Sequence, residues 1–137
     1  MRDTNRPRLL LADDHEGTTY LLRALLQSDF DVVADVQDGV ALVEAAQRLS
    51  PDLIITDVSM PRLDGIAAAA AILRTNPGAR IIFLTMHDEE SLMKRGMATG
   101  AQGYVVKLFA GDELIPAVFA VLRGEQFVSE SLRSERH

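Results

Sequence analysis

The sequence predicts an α/β fold in which five parallel strands form one doubly wound sheet with helices on both faces. Three observations predict it. Short apolar, β-rich runs recur along the chain, segments with helical spacing separate them, and Gly, Pro, Asn or Asp marks the joins. Strict βα alternation implies parallel strands linked by right-handed crossovers.

The runs are RLLLA at 8–12, DVVADV at 31–36, DLIITD at 52–57, RIIFLT at 80–85 and QGYVV at 102–106. The first predicted helix carries Leu21, Leu22, Leu25 and Leu26, and the second Leu42, Ala45, Ala46 and Leu49. Ile66, Ala69, Ala70 and Leu73 set the third at i, i+3, i+4, i+7, as Leu114, Ala117, Val118 and Val121 set the fifth. The fourth, with a weaker pattern, is expected from about Glu89 to Thr99. Ser50-Pro51 and Asn76-Pro77 stop helices, Gly100 and Gly124 follow helical runs, and Asp38 is placed to cap the second helix. Pro116 falls beyond the first turn of the last helix, where it removes a hydrogen bond.

At 137 residues, 47% apolar and 25% charged, the chain has the proportions of one folded domain. The start, MRDTNRPR, has no apolar signal region, and no run approaches the ~18 apolar residues of a spanning helix, so a cytoplasmic location without membrane insertion is expected. The absence of cysteine excludes disulfides and thiolate metal sites. A net charge of -6 argues against nucleic-acid binding by this segment, because phosphate neutralisation needs a basic face.

The polar residues that matter fall at strand ends. Asp13 and Asp14 follow the first strand in LLLADDHEG, Asp57 closes the third, Thr85 closes the fourth and Lys107 follows the fifth. These are C-terminal ends, where open α/β sheets place ligands. The second strand offers nothing comparable, which fits an edge position in the order 2-1-3-4-5. Three carboxylates in one crevice repel one another unless a cation joins them, so a hard divalent ion, Mg²⁺ or Mn²⁺, is expected. The three histidines form no ligand pattern such as HExxH.

From Arg8 to Gly124, through LLLADDH, IITDVSMPRLDGI, IIFLT and GYVVK in order, the chain resembles the receiver domain of bacterial two-component response regulators, a flavodoxin-like (βα)5 fold. The resemblance implies that Asp57 is a phosphoacceptor taking a phosphoryl group from a sensor histidine kinase. It implies that Asp14, Asp57 and the backbone carbonyl of Ser59 hold the metal, with Asp13 acting through a bound water. Lys107 would pair with Asp57 and then with the phosphoryl oxygens, and Thr85 and Tyr104 would form a switch pair. His15 often follows the acidic pair in the subgroup with a C-terminal LuxR/NarL-type helix-turn-helix, and receives a minor role. His87 and Ser59 resemble the positions that modulate dephosphorylation. On this reading the chain is a signalling module and not a turnover enzyme.

Taken alone, each residue has a plainer reading. Asp13 or Asp14 is a helix cap, Thr85 a β-former, Tyr104 a half-buried aromatic, Met60-Pro61 loop geometry and Asp64-Gly65 a turn or cap. The coincidence of the acids with Asp57 and Lys107 decides for the site.

Three departures from the family pattern matter. Leu108-Phe109 replaces the proline or small residues usual after Lys107, which removes the reason for a cis peptide there, since a non-proline cis bond costs ~2.5–4 kcal/mol. Ala110-Gly111 replaces a Ser/Thr cap, so the last helix should begin weakly. Ile115, Phe119 and Leu122 form a second apolar stripe on that helix, expected to be a partner surface such as a homodimer contact, the plainer alternative being that Phe119 lies against its own chain. The segment at 125–137 is expected to be a tail or the start of a linker to an output domain outside this chain, through which transcription would be regulated.

Rival functions fit less well. A phosphohydrolase with an aspartate nucleophile resembles DxDxT, but His15 and Glu16 occupy the second positions after Asp13 and Asp14. A flavodoxin-like FMN binder would want a Ser/Thr/Gly phosphate loop where these acids stand. A stand-alone or atypical receiver, working by protein contact without phosphorylation, shares the fold and remains the alternative.

Overall fold

All five expected strands and helices are present in the computed structural model, which describes residues 6–133. The first five residues of MRDTNRPR, and 134–137 of the C-terminal segment, lie outside the described residues. The strands are β1 (Arg8–Ala12), β2 (Asp31–Val36), β3 (Leu53–Thr56), β4 (Ile81–Thr85) and β5 (Gly103–Val106). The helices are α1 (Glu16–Leu26), α2 (Gly39–Leu49), α3 (Gly65–Thr75), α4 (Glu90–Met97) and α5 (Ala110–Leu122). Each parallel pairing places the strand ends that carry Asp13, Asp57, Thr85 and Lys107 along one edge.

One strand was not expected. Phe127–Val128 forms β6, parallel to β5, and the order becomes 2-1-3-4-5-6. A two-residue strand lies below the length at which alternation can be read from sequence. In the segment expected to be tail or linker, Ser129 is fully buried and Leu132 joins the core.

The alternation of strand side chains divides the core into two layers. Leu10, Ile54, Phe83, Tyr104 and Val106 face α2, α3 and α4, whereas Leu9, Leu11, Ile55, Leu84 and Val105 face α1 and α5. Strands buried on both faces read as continuous apolar runs for this reason.

The predicted boundaries have identifiable causes. Asp38 accepts a hydrogen bond from the Ala41 N–H and Asp64 from the Ala67 N–H, capping α2 and α3. Gly100 and Gly124 take φ of 102° and 91° after α4 and α5, a region that costs glycine little. The weak start of α5 is met by a 3₁₀ turn over Lys107–Phe109 that runs into the helix, with no side-chain cap. Pro116 is tolerated inside α5 because Asp112, four residues earlier, faces water. The peptide after Lys107 is trans.

Candidate functional site

Asp13 and Asp57 are both buried at the C-terminal edge of the sheet, with Asp14 exposed beside them. The two buried acids lie on neighbouring strand ends because β1 and β3 pair in register up to Ala12 and Thr56. Lys107 reaches across from the end of β5. Its Nζ lies 2.7 Å from Asp13 Oδ2 and 3.1 Å from Asp57 Oδ2. The expected pairing with Asp57 is present, and the shorter contact is to Asp13. Burial works against the Lys107 charge, but the hydrogen bond to Asp13 and the charges of Asp57 and Asp13 outweigh it and hold the ammonium above the ordinary lysine range.

The acids do not cap α1. Its N-cap is His15, which makes no side-chain cap bond; instead the His15 N–H donates to Asp13 Oδ1 at 2.9 Å. His15 Nδ1 lies 3.1 Å from both Asp13 Oδ1 and Asp14 Oδ1, so this residue belongs to the cluster more fully than its sequence position suggested. Ligand atoms of Asp13, Asp14, His15 and Asp57 all lie within 4.8 Å of one another. Three carboxylates against one ammonium leave two negative charges, which a divalent cation neutralises. The donor set therefore fits a metal ion, and its oxygens suit a hard one.

Asp57 is held by its own loop. Its Oδ1 accepts from the Val58 N–H at 2.7 Å, and Gly65 packs against its backbone, where a Cβ would come within 1.8 Å of the Asp57 carbonyl oxygen. Gly65 N–H also donates to the Val58 carbonyl at 2.7 Å. The sequence signal for Gly65 was that of a turn; the close approach behind it depends on the third dimension.

Thr85 and Tyr104 are both buried and meet at one residue, His87. The His87 N–H donates to Thr85 Oγ1 at 3.2 Å, and the Tyr104 hydroxyl donates to the His87 carbonyl at 3.0 Å. The His87 ring reaches back across the crevice, with Nε2 3.0 Å from Ser59 Oγ. Burial, with smaller contributions from the charges of Glu89, Asp57 and Asp88, pushes the Tyr104 phenol up to about 12. A groove of about 400 Å³ between α2 and α3, at the opposite end of the sheet, has no carboxylate in its lining. The converging charges, not this hollow, mark the site.

With this geometry in hand, comparison with known proteins decides the family. The response regulator receiver domain family matches residues 9–119. The chain is a receiver domain of the two-component response regulators. It is 34% identical over 128 residues to the transcriptional regulatory protein DegU of Brevibacillus brevis, covering 90% of this chain and 53% of DegU, so it spans about half of that relative's length. It is 36% identical over 115 residues to the chemotaxis protein CheY of Halobacterium salinarum, covering 84% of this chain and 96% of that one. A LuxR-family two-component response regulator from Aurantimonas sp. SI85-9A1 superposes with a TM-score of 0.90 at 29% identity, covering 93% of this chain and 92% of the other. Receiver domains are signalling modules, and the receiver reading and its parallel α/β fold both hold. No described helix is long and apolar enough to cross a membrane.

The α5 stripe is less free than expected. Ile115 and Leu122 are half-buried against the α1/α5 core layer. The Phe119 ring, 40% exposed, packs on Phe30 with ring centroids 5.1 Å apart. Phe119 thus lies in part against its own chain and in part open.

Proposed function

We propose that this receiver accepts a phosphoryl group on Asp57 from the phosphohistidine of a sensor histidine kinase. The observation that carries the reading is the convergence of Asp13, Asp14, Asp57 and Lys107 at one sheet edge, with Lys107 Nζ within 3.1 Å of both buried carboxylates. An Asp57 oxygen attacks phosphorus, the P–N bond breaks, and the kinase imidazole leaves. Such transfer needs positioning and charge neutralisation more than covalent assistance. Asp14, Asp57 and the Ser59 carbonyl would hold Mg²⁺ or Mn²⁺, with Asp13 acting through water; when bound, the ion neutralises charge on the transferring oxygens. Lys107, a point charge on a flexible stem, leaves its carboxylate partners to follow the arriving group. Thr85 exchanges its contact with the His87 N–H for the phosphoryl oxygen, and the change passes to Tyr104 through the same residue.

The output belongs to a neighbouring domain or partner in the cytoplasm. DegU, by its name a transcriptional regulator, supports control of transcription through a DNA-binding domain outside this chain. The match along nearly all of CheY supports the second reading, a stand-alone receiver acting by contact. Leu108, 81% exposed beside Lys107, and the open edge of Phe119 are among the exposed apolar surfaces that a partner or a second copy could cover.

The test is intact mass after incubation with Mg²⁺ and a small phosphodonor such as acetyl phosphate, beside Asp57→Asn and an EDTA control. A metal-dependent gain of one phosphoryl group, absent in the variant, is expected. No gain by folded protein with an active donor would leave the contact-only receiver.

A further inference from the structure

Tyr104 has no exposed surface although β5 would be the edge of the five-strand sheet, and edge residues are usually open on one flank. The segment after α5 closes that flank. Val128 stands opposite Tyr104 in the parallel register, and Val128 and Leu132 pack with Tyr104 in the α2/α3/α4 core layer. On the other side, Gly96 of α4 lies beside both rings: a Cβ there would crowd Phe83 at 3.0 Å and would lie in ordinary contact with Tyr104 at 3.7 Å.

The segment is pinned by a chain of polar contacts centred on the buried Ser129. Ser129 N–H donates to the Tyr104 carbonyl at 2.9 Å, and Ser129 Oγ accepts from the Val106 N–H at 2.8 Å while donating to a Glu113 carboxylate oxygen of α5 at 2.5 Å. The other Glu113 oxygen accepts the Glu130 N–H at 3.1 Å. One carboxylate thereby ties the segment to α5, and one serine ties it to both ends of the stretch from Tyr104 to Val106. Leaving the buried Ser129 hydroxyl unbonded is costly, so its contacts with Val106 and Glu113 support each other.

We propose that residues 127–132 are a clasp that holds the Tyr104 ring in its buried position, with Ser129 and Leu132 as positioning residues, so that release of the segment and release of the ring are one event. Because Tyr104 holds the His87 carbonyl, the clasp also reaches the loop that carries Thr85's partner. The proposal stands on the geometry of the unphosphorylated chain and does not depend on Asp57 accepting a phosphoryl group.

The chain has two tyrosines and no tryptophan, and Tyr20 is 74% exposed, so Tyr20→Phe leaves Tyr104 as the sole fluorescent reporter. In that background, acrylamide quenching of Tyr104 and hydrogen exchange at the Ser129 amide are measured with and without Leu132→Ala. The expected result is a several-fold rise in both, while the β1 and β3 amides stay protected. Glu113→Gln, which leaves the apolar core intact, is read in the same way if Leu132→Ala does not fold. Exchange at Ser129 with Tyr104 still shielded would overturn the clasp. So would an unreleased Ser129 in the folded variants, because the contacts named here would then not be what holds the segment.

Discussion

The Tyr104 hydroxyl donates to the backbone carbonyl of His87, the same residue whose N–H donates to Thr85. Two side chains from neighbouring strands thus grip one residue of the β4–α4 loop by both of its backbone polar groups. Tyr104→Phe keeps the ring and leaves that carbonyl without its partner. Stability should fall by about 0.5–1.5 kcal/mol in denaturant titration, with faster exchange at the His87 amide. Unchanged exchange would mean that the phenol does not hold the loop.

The same phenol sets an alkaline limb. Its folded pKa is raised from 10.0 to about 12, so the folded state retains a proton that the unfolded state has lost. The stabilisation is complete below pH 10.0 and is lost as the pH rises through about 12. Tyr104→Phe should flatten this part of the stability profile in chemical denaturation at a series of pH values. An identical slope in the two proteins would assign the limb to other groups.

Lys107→Met removes the ammonium between Asp13 and Asp57 and leaves two buried carboxylates facing each other. Without divalent metal the loss should be about 3–5 kcal/mol, the range for breaking a buried ion pair from one side. Mg²⁺ should then raise the melting temperature of the variant more than that of the parent, since binding to the folded state alone is stabilising. Equal shifts would argue against the acids as the metal site. In the parent protein the Lys107 pKa is raised, so its contribution is full below about 10.5 and fades only as the pH climbs past the folded value.

Gly65→Ala drives a Cβ into the Asp57 carbonyl, and backbone cannot swing aside as a side-chain tip can. A loss of about 1–3 kcal/mol is expected, as for overpacking of a tight site, together with weaker Mg²⁺ binding by calorimetry. Retention of full metal affinity would show that the loop adjusts without moving Asp57.

Much of this was legible in the chain. Strands buried on both faces announce themselves as runs such as LLLA and IIFLT, and Asp38 and Asp64 cap because caps are local. The gathering of Asp13, Asp57 and Lys107 followed from strand order and strand ends. What escaped was non-local or short. β6 is two residues long, Gly65 matters through an atom eight positions away, and His15 enters the acid cluster through the turn into α1. Periodicity marks the face that carries Phe119 without saying that Phe30 packs on part of the ring.

That aromatic contact can be weighed directly. A double-mutant cycle of Phe30→Ala and Phe119→Ala should return a coupling of about 0.5–1.5 kcal/mol, the range for tilted aromatic pairs. Sedimentation of Phe119→Ala beside the parent reads the open edge of the ring. Weaker self-association would make it a dimer contact, and equal association would confine Phe119 to its own fold.

Because Tyr104 and Val105 point to opposite sides of the sheet, the domain has two rooms and a shared wall. A displacement of the Tyr104 ring is felt directly among α2, α3 and α4, whereas α1 lies across the wall and α5 meets it only through the Glu113 contact with Ser129. The carboxylate cluster has another door to α5, the Lys107–Phe109 turn from which that helix springs. The acidic edge thus touches the two rooms by different means, one through a ring and one through a helix start.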